Sequence, residues 1–458
     1  MSEPTATEQS DQASAGRSEA ACGKDAPQPS GADMSLSQIA LAAAAAFSTY
    51  FCMYAFRKPF TAATWDGQQL FGLELKEVLV VAQLCGYMTS KFVGIRILAE
   101  LPPHRRALAI CGLIGLAELA LIGFAVAPPA LRPALLFLNG LPLGMVFGIV
   151  LSFLEGRLQT EAMAAVLCSS FIISSGVVKS VGSWLVEQQQ MSEFTMPMTV
   201  GGIFILPLLI SVFLLQRTPP PGNTDLHQRQ QRRPINRAER KALWLSCWPG
   251  LSCLVAIYVA LTILRTIRDD FGVEIWQEMG VSEQPSVFTY SEMLVAFLAC
   301  LLNGFAVAVR GSLMALRVTF VLMAAALTAV ALSPVLYDAG LLSPFGFMVT
   351  CGAGLYAPYV AFHTTVFERL IAISRHPGNV VFLMYVADAS GYLGYAVVLG
   401  GKALISADTQ ILPLFQWSLT GISVAATAGL LLAWIFIRRL ADDSSAATVN
   451  AAVQKAGS

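Results

Sequence analysis

The side chains in this sequence best suited to chemistry are cations placed where a bilayer should exclude them. Tyr54-Ala-Phe-Arg57-Lys58-Pro59-Phe60 closes the first long apolar run with two adjacent positive charges. A related stretch, Tyr258-Val-Ala-Leu-Thr-Ile-Leu-Arg265-Thr-Ile-Arg268, closes the first apolar run of the second half. An aromatic follows each at a similar distance, Trp65 and Trp276. Charge inside a membrane span is costly and is kept mostly where it meets water, a partner or a substrate. Two cations at matching positions of two halves suggest one anion held between them. A guanidinium fork suits a phosphate or carboxylate bidentately, whereas an ammonium acts as a point charge.

The elements that must position these groups are membrane helices. The chain has 458 residues, 55% hydrophobic and 13% charged, with mean hydropathy +0.63. Soluble domains carry about 25% charged residues. Basic and acidic side chains balance at 29 each, and the basic cluster in the middle of the chain has no interleaved aromatics, so nothing points to nucleic acid. None of the nine cysteines forms a CxxC pair or keeps metal-ligand spacing with a histidine; they read as buried apolar thiols, with no metal and no other cofactor implied. No Ser/His/Asp or Cys/His arrangement supports an enzyme.

A span needs roughly 20 mostly apolar residues. Twelve stretches meet that need: 36–57, 77–99, 107–127, 133–154, 162–184, 198–216, 241–264, 286–309, 313–334, 342–366, 378–400 and 411–437. The expected fold is all-α and integral to the membrane, in two pseudo-symmetric six-helix halves, 35–216 and 241–440. A basic, proline-containing segment at 217–240 reads as a flexible cytoplasmic linker, and 1–34 and 441–458 read as disordered cytoplasmic tails. Arginines crowd the linker and the even-numbered loops, while Asp269, Asp270 and Glu274 fall in an opposite, acid-leaning loop. The positive-inside rule then puts both termini in the cytoplasm. The halves echo further: Glu155-Gly-Arg157 against Glu368-Arg369, Ser174-Ser-Gly176 against Ala389-Ser-Gly391, and Pro142 against Pro358.

Two such halves joined by a basic loop resemble the major facilitator superfamily. Tyr54-x-x-Arg57-Lys58-x-Phe60, Gln83-x-x-Gly86-Tyr87-x-x-Ser90-Lys91-Phe92 and Leu264-Arg265 resemble its organophosphate/phosphate antiporters. The resemblance implies alternating access around two arginines, one per half, that grip a phosphate; here these are Arg57 and Arg265. Lys91 matches a lysine in that branch's Ser-Lys-Phe segment. The chain departs from the pattern at Leu101-Pro-Pro-His-Arg-Arg106, which lacks the superfamily's usual Gly…Asp-Arg loop, and by carrying Lys179 and Asp388. Glu155-Gly-Arg157, Ser175-Gly-Val-Val-Lys-Ser-Val-Gly182 and Gly391-Tyr-Leu-Gly394 resemble an uncharacterised bacterial subgroup of the superfamily.

Each remaining charge has competing readings. Lys58 is expected to snorkel to the outer headgroups; the same fate is open to Arg57, and Arg268 competes with Arg265 for the inward position. Lys91 is either an anion ligand or the partner of Glu118 or Asp388, and Lys179 either a site residue or half of a buried pair. Asp388 either carries a coupling proton or neutralises Lys179 or Lys91. Glu118 and Glu292 could each bridge helices as a protonated donor, and His363 reads as a satisfied buried histidine. Tyr54, Gln83, Tyr87 and Tyr385 complete the expected substrate site, with Tyr356 and Tyr359 as further neutral lining. Gly140-x3-Gly144-x3-Gly148 reads as close helix packing.

The function expected is a monomeric secondary transporter of the bacterial cytoplasmic membrane whose partners are a small anionic solute and lipid. A phosphorylated metabolite or inorganic phosphate is the favoured cargo. The alternatives are a proton-driven symporter of a carboxylate or sugar-like solute, with Asp388 as carrier, and a non-transporting membrane sensor of such a ligand.

Overall fold

The computed structural model describes residues 35–154, 157, 159–219, 237–281, 285–309, 311–374, 380–405 and 410–456. The expected N-terminal tail and most of the linker lie outside the described residues.

Each half is a helical bundle. The first holds α1 (Leu36–Tyr54), α2 (Leu75–Glu100), α3 (Arg106–Val126), α4 (Arg132–Leu154), α5 (Thr160–Glu187) and α6 (Met196–Gln216). The second holds α7 (Arg237–Asp270), the short α8 (Gly272–Glu278), α9 (Ser286–Val307), α10 (Ser312–Asp338), α11 (Pro344–Ala361), α12 (Phe367–Ser374), α13 (Val380–Ile405) and α14 (Ile411–Ala456). A π-turn, Phe362–Val366, joins α11 to α12. Local signals set several starts. Ser35 caps α1 in a reciprocal box with Gln38, and Ser343 caps α11 ahead of Pro344.

Among the described residues eleven helices are long and apolar enough to cross a membrane, and they fall in eleven of the twelve expected stretches. The twelfth stretch is α2, whose 26 residues reach about 39 Å at 1.5 Å per residue. The chain is a multi-pass membrane protein. Twelve passes bring the start of α1 and the end of the α14 span to one side, here the terminal side; the opposite side is the distal side.

Three expectations differ. The seventh span does not stop before Arg265, because α7 continues unbroken to Asp270. The stretch 441–458 is helical as far as Ala456, since α14 runs on through strong helix formers such as Ala446, Ala447, Ala451 and Ala452. The thiols are not uniformly buried: Cys85 is exposed and Cys111, Cys253 and Cys300 are half-buried. A two-residue hairpin between α1 and α2 (β1 Gln69–Leu70, β2 Leu73–Glu74) has no counterpart in the sequence reading; Phe71 and Gly72 turn it with positive φ.

Within the first half, α2 packs on α4; across the halves, α2 meets α13 and α5 meets α9. Glycine permits the α2–α4 approach. A Cβ on Gly86 would run into the Phe137 carbonyl, and one on Gly140 into the backbone of Gln83. Backbone cannot yield as a flexible side chain can. Gly86→Ala and Gly140→Ala are therefore expected to lower the melting temperature of the purified protein, each costing about 1–3 kcal/mol. Gly112→Ala, with open space around it, should leave it unchanged; equal behaviour of all three would remove the packing argument.

Candidate functional site

The site starts where α1 stops. After Tyr54 the backbone tightens: the Ala55 and Phe56 amides donate to the Cys52 and Met53 carbonyls at 3.0 and 3.1 Å, and Pro59 then supplies no donor at all. Carbonyls freed at such a break cannot turn to water in a bilayer and must be met from within. Asn139 on α4 donates to the Phe56 carbonyl at 2.9 Å, and Gln83 on α2 to the Arg57 carbonyl at 2.7 Å. Gln83 also donates to Asn139 Oδ1 at 2.7 Å, so its amide supports the turn that carries Arg57.

From that turn the Arg57 guanidinium lies 3.9 Å from the Tyr87 ring centroid and 5.7 Å from that of Tyr54. On the other half, Arg265 lies 4.2 Å from the Tyr359 centroid and 5.8 Å from that of Tyr356. Its Nη2 donates to the Tyr392 hydroxyl at 3.4 Å, and Tyr392 meets Tyr87 edge to face at 5.4 Å. Arg57, Tyr87, Tyr392 and Arg265 thus form one line across the boundary between the halves. Arg57 is 6% exposed and Arg265 5%, which excludes the snorkelling alternative.

What sets these two arginines apart is charge. Among the described residues neither has an ion-pair partner, and the buried Nε of each has no hydrogen-bond partner. Other buried cations are matched: Lys58 with Asp269 and Asp270, Lys76 with Glu274, Lys91 with Asp388 at 2.7 Å, Lys179 with Asp269 at 2.8 Å, and Arg268 with Glu292 at 2.7 Å. Aromatic faces offset part of the cost of a buried guanidinium, each worth about 0.5–2 kcal/mol, but they do not neutralise it. The arrangement is a buried pair of guanidinium groups of net positive charge.

Ion pairs flank the arginine line on both sides. Lys58, Lys179, Asp269 and Asp270 form a cluster on the distal side, where the Ser175 hydroxyl donates to Asp269 and Tyr395 to Asp270 at 2.9 Å. Lys76 and Glu274 join the halves nearby. In α8, outside the spans, burial raises the Glu274 carboxyl above its ordinary value while Lys76 opposes the shift. Toward the terminal side, Lys91 on α2 meets Asp388 on α13. Every one of these ion pairs joins a lysine of the first half to an acid of the second.

Lys58 therefore does not snorkel, and Asp269 and Asp270 are not loop acids; burial against each other removes both from the surface. Arg268 does not join the arginine line, since it is turned to Glu292 and the Met348 carbonyl within the second half. Of the pairings left open, Asp388 takes Lys91 and not Lys179, and Glu118 meets neither: it is buried against α6 at Gly201 and against Phe56. Tyr385 sits near Lys91, its ring centroid 5.7 Å from Nζ. Tyr392 and Asn139 were not singled out by sequence. Tyr392 carried a usable signal, since it follows Asp388 by four residues and so shares its helix face; Asn139 carried none.

Residues 59–440 match DUF5690, a family of unknown function. The chain belongs to DUF5690. No curated protein sequence matches it. Among solved structures the DUF5690 chain is similar to a D-xylose-proton symporter, with TM-score 0.57 and 11% identity over 87% of this chain and 97% of that one. It is similar also to the nucleoside transporter NupG, with TM-score 0.55 and 14% identity over 86% and 99%. At such identities the likeness is one of fold alone, the many-helix fold of these two membrane transporters.

Proposed function

We propose that this DUF5690 chain is a secondary transporter that carries a small anion by alternating access, with the anion gripped between Arg57 and Arg265. The observation that carries the reading is the pair of buried arginines, one from each half, without an acid partner among the described residues. An anion entering between them completes the charge balance that every flanking ion pair already has. A phosphorylated metabolite or inorganic phosphate suits two guanidinium forks best, because its oxygens accept from both at once. Tyr54, Tyr87, Tyr356, Tyr359 and Tyr392 then close around the remainder of the solute. Lys91 and Lys179 act as gate residues whose acids hold them off the anion. Exchange of anions follows if an empty site, with two uncompensated charges, resists passing through the closed state. The proposed setting is the bacterial cytoplasmic membrane with both termini inside, as a monomer.

The test is thermal stabilisation of the purified protein by inorganic phosphate, sugar phosphates, glycerol phosphate, carboxylates and neutral sugars. Binding to the folded state stabilises by about 2.7 kcal/mol at a ligand concentration of 100 Kd. A phosphate-containing ligand should raise the melting temperature of the wild type and leave Arg57→Ala unmoved. A shift with a neutral sugar alone would transfer the assignment to a sugar symporter, a reading that otherwise draws on the likeness to the D-xylose-proton symporter and on the buried Asp388.

A further inference from the structure

The cluster around Asp388 contains more than the Lys91 ion pair needs. Asp388 accepts from Lys91 at 2.7 Å through Oδ2, while its Oδ1 accepts from the Tyr258 hydroxyl and, at 3.5 Å, from that of Tyr359. On the far side of Tyr258, its hydroxyl lies 3.5 Å from His363 Nε2. His363 Nδ1 lies 3.0 Å from the Tyr359 carbonyl, a group that can only accept, so Nδ1 carries the proton of the neutral ring and Nε2 faces the Tyr258 oxygen unprotonated, free to take up a proton and donate it there. The ring sits in the π-turn Phe362–Val366, a distortion of the kind found often at functional positions. It lies tilted against Tyr359 at 4.7 Å and against Tyr258 at 5.8 Å, and it is half-buried where Asp388 is 8% exposed.

We propose that His363 and Tyr258 form a proton relay to Asp388, and that its arrival there unlocks the terminal side of the transporter. The steps balance. A proton taken up at His363 Nε2 passes to the Tyr258 oxygen, and the proton already on Tyr258 passes to Asp388 Oδ1. His363 returns to its neutral form, Tyr258 is unchanged, and Asp388 becomes a neutral acid. Lys91 then loses the carboxylate that holds α2 against α13. The charged and titratable groups facing Asp388 are Lys91 from α2, Cys168 from α5 and Tyr258 from α7, with Tyr87 of α2 beside Lys91 and Arg265 of α7 beside His363 and Tyr392. Tyr359 and His363 face it from the end of α11, and Tyr385 and Tyr392 flank it on α13. Of all these only histidine has an ordinary pKa, about 6.5, within reach of physiological pH. The inference deepens the transporter reading, supplying a proton as the second ligand, and does not depend on what the arginines bind.

The test reads the opening without any anion. Spin labels on genetically encoded residues at Arg105 and Ser312, one on each half at the terminal side, report their separation in full-length protein in nanodiscs. In the wild type the long-distance population should grow as pH falls from 8 to 5.5. Freeze-quenched after a jump from pH 8 to 5.5, Tyr258→Phe and His363→Gln should lengthen about 10²-fold more slowly than the wild type, and Asp388→Asn should be long at both values. Tyr258→Phe keeps the ring packing, so it separates loss of the relay from loss of structure. A pH-independent distance in the wild type, or an unaltered rate after the jump in both relay variants, overturns the proposal. Either result leaves the thermal-shift outcome for Arg57 standing on its own.

Discussion

Arg57→Lys is expected to abolish anion-dependent stabilisation and transport almost as completely as Arg57→Ala. The lysine keeps the charge, so a site that merely attracts anions would tolerate it. Geometry says otherwise. The turn holding Arg57 is pinned by Gln83 and Asn139, and the guanidinium is laid against Tyr87 at 3.9 Å, which fixes the plane of its donors. An ammonium in the same place has a shorter reach, no plane to stack and no paired donors. Hydrogen bonds to charged groups contribute about 1.5–3 kcal/mol each, and the loss of one or two of them converts to roughly 10–10⁴-fold in affinity. Arg265→Lys should behave alike, since Arg265 stacks on Tyr359 and donates to Tyr392. Titration of the lysine variants with the ligand that shifts the wild type decides the matter. Affinity within about threefold of wild type would remove the fork from the mechanism and leave only its charge.

The sequence made some of this legible and hid the rest for a physical reason. Long apolar stretches announce themselves one by one, and eleven of the twelve reappear as helices apolar enough to cross a membrane. Arg57 and Arg265 were visible because a charge beside an apolar run stands out whatever surrounds it. Their freedom from acids was not visible, because pairing is decided between residues far apart in the chain: Lys58 and Asp270 are separated by 212 positions, Lys91 and Asp388 by 297. Hydropathy treats Asp269 and Asp270 as the start of a loop, yet two lysines from the other half let α7 bury them. The same local view sent Lys58 to the headgroups. Asn139 and Gln83 look like incidental amides within apolar helices until the broken end of α1 needs two donors.

The ion pairs also explain how an uncompensated arginine pair can persist. Cations of the first half face acids of the second on both sides of the arginine line, so closure at either side gains attraction between the halves. The distal side has the larger share, with Lys58, Lys76 and Lys179 against Asp269, Asp270 and Glu274; the terminal side has Lys91 and Asp388. Opening the terminal side therefore breaks fewer pairs, which is where a single proton on Asp388 would act with most effect.

Asp269 is the acid on which the distal side depends most, because it alone among the described acids pairs with both Lys58 and Lys179. In Asp269→Asn, Lys58 keeps Asp270, while Lys179 is left buried without an ion-pair partner. Breaking a buried pair from one side costs about 3–5 kcal/mol, and the cost falls on the state with the distal side closed. The variant should melt lower and shift toward distal opening by roughly 10²–10⁴-fold. Removing the stranded charge should repair it: Lys179→Met combined with Asp269→Asn leaves Lys58 on Asp270 and nothing charged unmatched, so the double variant should recover most of the lost stability. A double-mutant cycle on melting temperature, with distal opening read from labels at Gln69 and Leu341, measures the coupling. If the double variant melts as low as Asp269→Asn alone, the loss comes from packing around Ser175 and Asp269, and electrostatic closure of the distal side is wrong. If it recovers, the ion pairs between the halves are what hold that side shut, and the anion at the arginine line must compete with them for closure.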